Sequence, residues 1–238
     1  MVTVISLGGS IVAPDGVDIR FLADFVSLIR SFIEADSNRR FIFVVGGGGP
    51  ARHWQKAYRE VCGGTGINTG INTGGIKDEE ADWIGIMATR LNAQLVKAVM
   101  GEWCNQEVVT NPGQVDPLTS RVLVAAGWKP GFSTDYDAVL LAERFRADAV
   151  INLSNIEKVY TADPKIDPNA TAIDKISWAD FRSIVGDEWV PGKNVPFDPV
   201  ASSHAEKIAL KVICASGRNL ENLKKILSGE EYIGTTIG

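Results

Sequence analysis

Few of the residues on which common protein chemistry is built are present in this chain. Its three cysteines, Cys62, Cys104 and Cys214, are scattered and lack C-x-x-C spacing, which leaves no disulfide framework and no thiolate zinc site. They read as buried thiols in a reducing compartment. With only His53 and His204 to draw on, a histidine-centred metal site or nucleophilic triad is poorly supported. No apolar run approaches the roughly 18 residues of a membrane span. The first residues lead straight into a strand-like run without room for a signal peptide, so a cytoplasmic location is expected and no membrane partner. A basic excess is missing as well. The formal charge of −5 argues against a nucleic-acid surface, and an anionic substrate would have to be met by local charges. Nothing matches G-x-G-x-x-G, and the stretch from Gly186 to Asn194 fails as a Walker A loop because Asn194 stands where a hydroxyl is required.

Glycine, in contrast, is abundant and ordered. Three glycine-bearing turns follow apolar strand-like runs: Ser6-Leu7-Gly8-Gly9-Ser10, Gly46-Gly47-Gly48-Gly49-Pro50-Ala51-Arg52, and Pro130-Gly131-Phe132-Ser133-Thr134-Asp135. A strand ending in glycines lets bare backbone N–H groups approach an anion, and a following helix aims its positive dipole end at the same point. Three such turns in one chain point to nucleotide phosphates.

Short apolar runs over Val2 to Leu7, Phe41 to Val45, Glu107 to Thr110, Arg121 to Ala125, Asp148 to Leu153 and Lys211 to Ala215 predict strands buried on both faces. Leu22, Phe25, Val26, Ile29, Phe32 and Ile33 recur at helical spacing, and so do Ile84, Met87, Leu91, Leu95 and Val99. Strand and helix in alternation predict an α/β fold, a three-layer αβα sandwich on a mainly parallel sheet, with ligands at the carboxyl ends of the strands. No linker divides the 238 residues. Asp135 suits an N-cap or first-turn acid, or a free carboxylate for Mg²⁺. The segment Gly63 to Gly75 contains Gly66-Ile67-Asn68-Thr69 followed at once by Gly70-Ile71-Asn72-Thr73, readable as a surface insertion or as a lid.

The order of these blocks resembles the amino acid kinase family, and within it the archaeal uridylate (UMP) kinases. The carrying residues are Leu7 to Ser10, Val44 to Gly48 with Ala51-Arg52, Asp82 to Ala93, Pro130 to Asp135, Asn155 to Pro164, and Asp198-Pro199. The resemblance implies a single domain over 1–238, with an acceptor-binding part near 1–140 and an ATP-binding part near 141–238. It implies transfer from ATP, accompanied by Mg²⁺, to UMP, giving UDP in pyrimidine nucleotide biosynthesis. It also implies a homo-oligomer, a hexamer built from dimers.

Roles follow position by position. Gly8, Gly9, Ser10, Gly48 and Arg52 would meet ATP phosphates, and Ser154, Asn155, Tyr160 and Asp163 the base and ribose. Gly47, Asp82 and the turn Gly127, Trp128, Lys129, Pro130, Gly131, Phe132, Ser133 and Thr134 would hold UMP. Arg52, Asp135, Asp198 and Lys129 are the expected catalytic group, with the two aspartates organising Mg²⁺. Arg52 also fits a solvated helix residue, Tyr160 a core-edge aromatic, and Asp82 a helix-start acid.

The chain departs from the family at two ammonium groups: many members carry a lysine where Ser6 stands, a loss that archaeal UMP kinases tolerate, and these usually carry a lysine where Gly49 stands. Lys129, the lysine inside a glycine turn, is the expected substitute. Lys158 replaces a usual glycine. Two other readings therefore stand beside UMP kinase: a kinase for another small acid or phosphate, and a non-catalytic nucleotide-binding or storage protein of the same fold.

Overall fold

The computed structural model describes residues 2–63, 75–164, 166–186 and 195–238. The whole repeat from Gly66 to Thr73, and all of the stretch from Gly186 to Asn194 except Gly186, lie outside the described residues. The chain runs β1 (Val2–Leu7), α1 (Gly9–Val12), α2 (Ile19–Ala35), β2 (Arg40–Val45), α3 (Gly48–Gly63), α4 (Asp78–Met100), β3 (Val122–Ala125), α5 (Thr134–Phe145) and β4 (Ala149–Ser154). It continues through β5 (Val159–Tyr160), β6 (Ala172–Ile173), β7 (Lys175–Ile176), α6 (Trp178–Val185), α7 (Pro199–Lys207), β8 (Lys211–Ser216), α8 (Leu220–Ser228) and β9 (Thr235–Ile237).

Seven strands form a sheet in the order β3-β2-β1-β4-β8-β9-β7, parallel except where β8 meets β9. A separate antiparallel pair joins β5 to β6. Alternate strand residues face opposite layers, as a period of two requires. Ile5, Leu7, Phe41, Phe43 and Ile151 pack under α2, α4 and α8, whereas Val4, Ile42, Val44, Val150 and Val212 pack under α5, α6 and α7. The expected three layers are present. Among the described residues no helix is long and apolar enough to cross a membrane.

Two expectations need correction. Glu107 to Thr110 is no strand; only Val109 pairs, in a single parallel bridge to Ala125 beyond the edge strand β3. The stripe Ile84, Met87, Leu91, Leu95 and Val99 does not mark the packed face of α4. That face is built from Ala81, Ile86, Ala88, Thr89, Asn92, Ala93, Val96 and Met100, whose mostly small side chains let the helix lie close on the sheet. Met87 and Leu91 point outward, 58% and 70% exposed.

Candidate active site

All three glycine turns crown the carboxyl edge of the sheet. The first two meet backbone to backbone: a Cβ on Gly9 would lie 2.1 Å from the Gly48 nitrogen, and one on Gly46 would lie 2.5 Å from the Gly9 nitrogen. Gly48 also has φ +65°, a conformation that side chains rarely adopt. These glycines therefore do structural work before any ligand arrives. Gly8 donates its N–H to the Leu153 carbonyl at 2.9 Å, joining the first turn to the end of β4, where Ser154 and Asn155 stand. Ser10 accepts from Arg218 through its carbonyl at 3.1 Å. Tyr160 lies on β5 and Asp163 just beyond it. Lys158 is ion-paired to Asp174.

A cleft of about 320 Å³ opens between α3, α4 and the third turn. That is the small end of the usual range for ligand sites. Gly47, Gly48 and Arg52 line it from one side, Asp82, Gly85 and Thr89 from another, and Gly127, Pro130, Phe132, Ser133 and Thr134 close it. Residues far apart in sequence but expected to share a substrate thus share one cavity. The amino ends of α3 and α5 both border it, and their dipoles favour an anion there. Ser133 caps α5, its Oγ accepting from the Tyr136 N–H at 3.2 Å, which puts Asp135 in the first turn rather than at the cap. Arg52, an exposed residue, donates to the Pro14 carbonyl at 3.1 Å.

The third turn is held by side chains that sequence reasoning assigned no such part. Thr89 Oγ1 accepts from the Gly127 N–H at 2.8 Å, and Arg90 donates to the Trp128 carbonyl at 3.0 Å. Asp137 Oδ2 accepts from the Trp128 N–H at 3.2 Å, and Asp82 Oδ2 from the Gly131 N–H at 3.1 Å. Asn92 Nδ2 reaches the Gly46 and Gly47 carbonyls at 2.9 and 3.1 Å, fixing the second turn. Thr89 and Asn92 lie on the buried face of α4 and Asp137 on that of α5, and nothing in their sequence spacing marks them as supports of a turn. Lys129 is exposed, with its Nζ 4.1 Å from the Trp128 ring centroid and 5.0 Å from that of Phe132.

At the position of the family's first lysine, buried Ser6 donates from Oγ to Asp135 Oδ1 at 3.0 Å, and Asp135 Oδ2 accepts from the Asp198 N–H at 3.3 Å. Asp198 caps α7, its Oδ1 accepting from the Ala201 N–H at 2.7 Å. Burial, with the neighbouring Asp198 charge adding to it, pushes the Asp135 carboxyl up to about 6. Burial also raises Asp198, against the opposing bond from Ala201. Asp137 is pushed up to about 7, first by burial and then by Asp135. Among the described residues, no cluster of three or more His, Cys, Asp or Glu could hold a metal by itself. Two adjacent carboxylates with raised pKa nonetheless suit a Mg²⁺ carried in on phosphates, since that ion commonly takes only one or two protein carboxylates.

The position of the second missing lysine is closed. A Cβ on Gly49 would lie 2.0 Å from the Pro14 carbonyl oxygen, so a lysine there requires the segment after α1 to move. Restoring that ammonium by substitution, a remedy the family pattern suggests, is incompatible with this backbone.

The sequence model of the amino acid kinase family matches residues 1–216. A uridylate kinase of Archaeoglobus fulgidus is 35% identical over the full length of both chains, and one of Methanospirillum hungatei is 33% identical over 98% of this chain and 93% of the other. The crystal structure of uridylate kinase from Archaeoglobus fulgidus superposes with a TM-score of 0.79 at 33% identity, each chain fully covered. A UMP kinase from Bacillus anthracis, at 21% identity and a TM-score of 0.74, shares the fold. Sheet order, glycine turns and full-length similarity agree, and the chain belongs to the amino acid kinase family.

Proposed function

We propose that this protein is a UMP kinase, transferring the γ-phosphoryl group of ATP to UMP. The observation that carries the reading is the cleft that gathers Gly47, Arg52, Asp82 and the turn from Gly127 to Thr134, in a chain similar from end to end to proteins named uridylate kinase. Phosphoryl transfer asks little covalent chemistry of the protein and depends on in-line positioning and on charge around the moving oxygens. The amino end of α5 and the N–H groups of the third turn would take the UMP phosphate, and Asp82 the ribose hydroxyls. Gly9, Ser10 and Gly48 would receive the ATP phosphates, with Ser154, Asn155, Tyr160 and Asp163 around base and ribose. Arg52 would meet the transferred group, and Lys129 would need to leave its aromatic neighbours to join it. Asp135 and Asp198 would hold Mg²⁺, which neutralises phosphate charge when bound. The nucleophile is already an ionised phosphate oxygen, so no general base is required.

Replacing Asp82 with alanine tests the assignment of the cleft. The expected result is a UMP KM raised at least about tenfold with the ATP KM unchanged, because one subsite loses its acceptor. Equal changes for both substrates refute it. The reading extends to a division near residue 140 between acceptor and donor parts, and to self-association. From Ala81 to Met100 every exposed residue of α4 is uncharged: Trp83, Met87, Leu91, Gln94, Ala98 and Val99. A chain of net charge −5 can meet a copy of itself there without like charges facing each other.

A further inference from the structure

A carboxyl stands on the buried face of α5 with Ala138, Leu141 and Ala142, where burying a polar group costs free energy unless it is hydrogen-bonded. Asp137 is 1% exposed, its Oδ2 accepts from the Trp128 N–H at 3.2 Å, and its Oδ1 is buried with no hydrogen-bond partner among the described residues. Among the described residues the Trp128 N–H is the one hydrogen-bond donor to this carboxyl. That bond closes a loop whose two ends are Trp128 and Asp137. Inside the loop lie Pro130, Phe132, Ser133 and Thr134, the residues that close the cleft.

We infer that Asp137 is a positioning residue for the acceptor: its clasp on the Trp128 peptide fixes the third turn to the amino end of α5 and so sets affinity for the acceptor phosphate. The inference rests on the proposed UMP kinase reading. The geometry explains why one bond carries such weight. Gly127 and the Trp128 carbonyl are tied to α4 by Thr89 and Arg90, whereas Asp137 ties the next N–H to α5. A site built between two helices keeps its shape only while the turn is fastened to both. A displacement of the turn by an ångström misplaces the anion-binding N–H groups relative to the α5 terminus. The donor side, with Gly9, Ser10 and Ser154, has no part in this bond.

The test uses the full-length protein with Asp137→Asn, which keeps an oxygen acceptor, and Asp137→Leu, which keeps the size and removes it. Steady-state kinetics should give Asp137→Leu a UMP KM at least about tenfold higher with the ATP KM within about twofold, and Asp137→Asn a UMP KM near the parent value. Equal loss of both affinities, or no change in either variant, overturns the inference. Amide hydrogen exchange in the unsubstituted protein without ligand supplies a readout that needs no variant. The Trp128 amide should be strongly protected relative to Lys129, and exchange of both at the same rate overturns the clasp. If the unsubstituted protein fails to phosphorylate UMP, the functional reading fails by itself, and the exchange rates still decide whether the clasp exists.

Discussion

Ser6 Oγ donates a 3.0 Å hydrogen bond to Asp135 Oδ1, at one of the two positions where the family resemblance implied an ammonium group. A hydroxyl stabilises the ionised carboxylate less than an ammonium does, and the Asp135 carboxyl accordingly sits at about 6, raised by burial and by Asp198. If Asp135 must be ionised to hold Mg²⁺, kcat falls as pH drops through that value. Ser6→Ala removes the donor, and the acidic limb of the pH–kcat profile should move up by about one unit. An unmoved limb separates Asp135 from the metal requirement.

Arg52 is the cation that reaches the cleft from the second glycine turn. Charge spreads over the transferred group in the transition state, so Arg52→Ala should lower kcat by roughly a hundredfold. Single-turnover rates measured with saturating substrates check this. A near-normal kcat with raised KM would assign Arg52 to ground-state binding.

Asp137 also affects stability. Its carboxyl, at about 7 in the folded protein against an ordinary 3.8, binds a proton more tightly in the folded than in the unfolded chain. Stability therefore falls as pH rises through the interval between these values, and the loss is complete above the folded value. Asp137→Asn escapes it, so the variant should gain on the parent protein between pH 5 and pH 8, by at most about 3 kcal/mol, since only about two of the pKa units separating the two states are crossed between those values. Urea unfolding at the two pH values measures the gain. A gap independent of pH contradicts it.

The outward face of α4 gives a prediction independent of chemistry. If the proposed self-association runs through this face, Leu91→Glu, which puts a carboxylate in the middle of the uncharged stripe, should give smaller species than the parent protein in sedimentation velocity, with the far-UV circular dichroism unchanged. An unaltered sedimentation coefficient removes α4 from any self-contact.

Most of the sheet was legible because buried parallel strands are continuous apolar runs, and the expected limits of β1, β2, β3, β4 and β8 fall within a residue of those observed. β9 and the two-residue strands β5, β6 and β7 carry too few residues to form a pattern. The α4 stripe misled because large apolar residues dominate any periodicity count, while the packed face uses alanine, threonine and asparagine. The glycine turns announced the cleft, since the backbone contact of Gly9 with Gly48 permits no side chain. The supports of the third turn were silent: Thr89, Arg90 and Asp137 are ordinary helix residues until the fold brings Gly127 and Trp128 beside them.

Initial rates of ADP formation with ATP and Mg²⁺, measured against UMP, CMP, dTMP, carbamate, glutamate and isopentenyl phosphate, test the central claim most directly. UMP should have the highest kcat/KM of the set, as the end-to-end similarity to proteins named uridylate kinase leads one to expect. Turnover of isopentenyl phosphate or carbamate without turnover of UMP, or binding of both nucleotides with no ADP formed, would contradict the account.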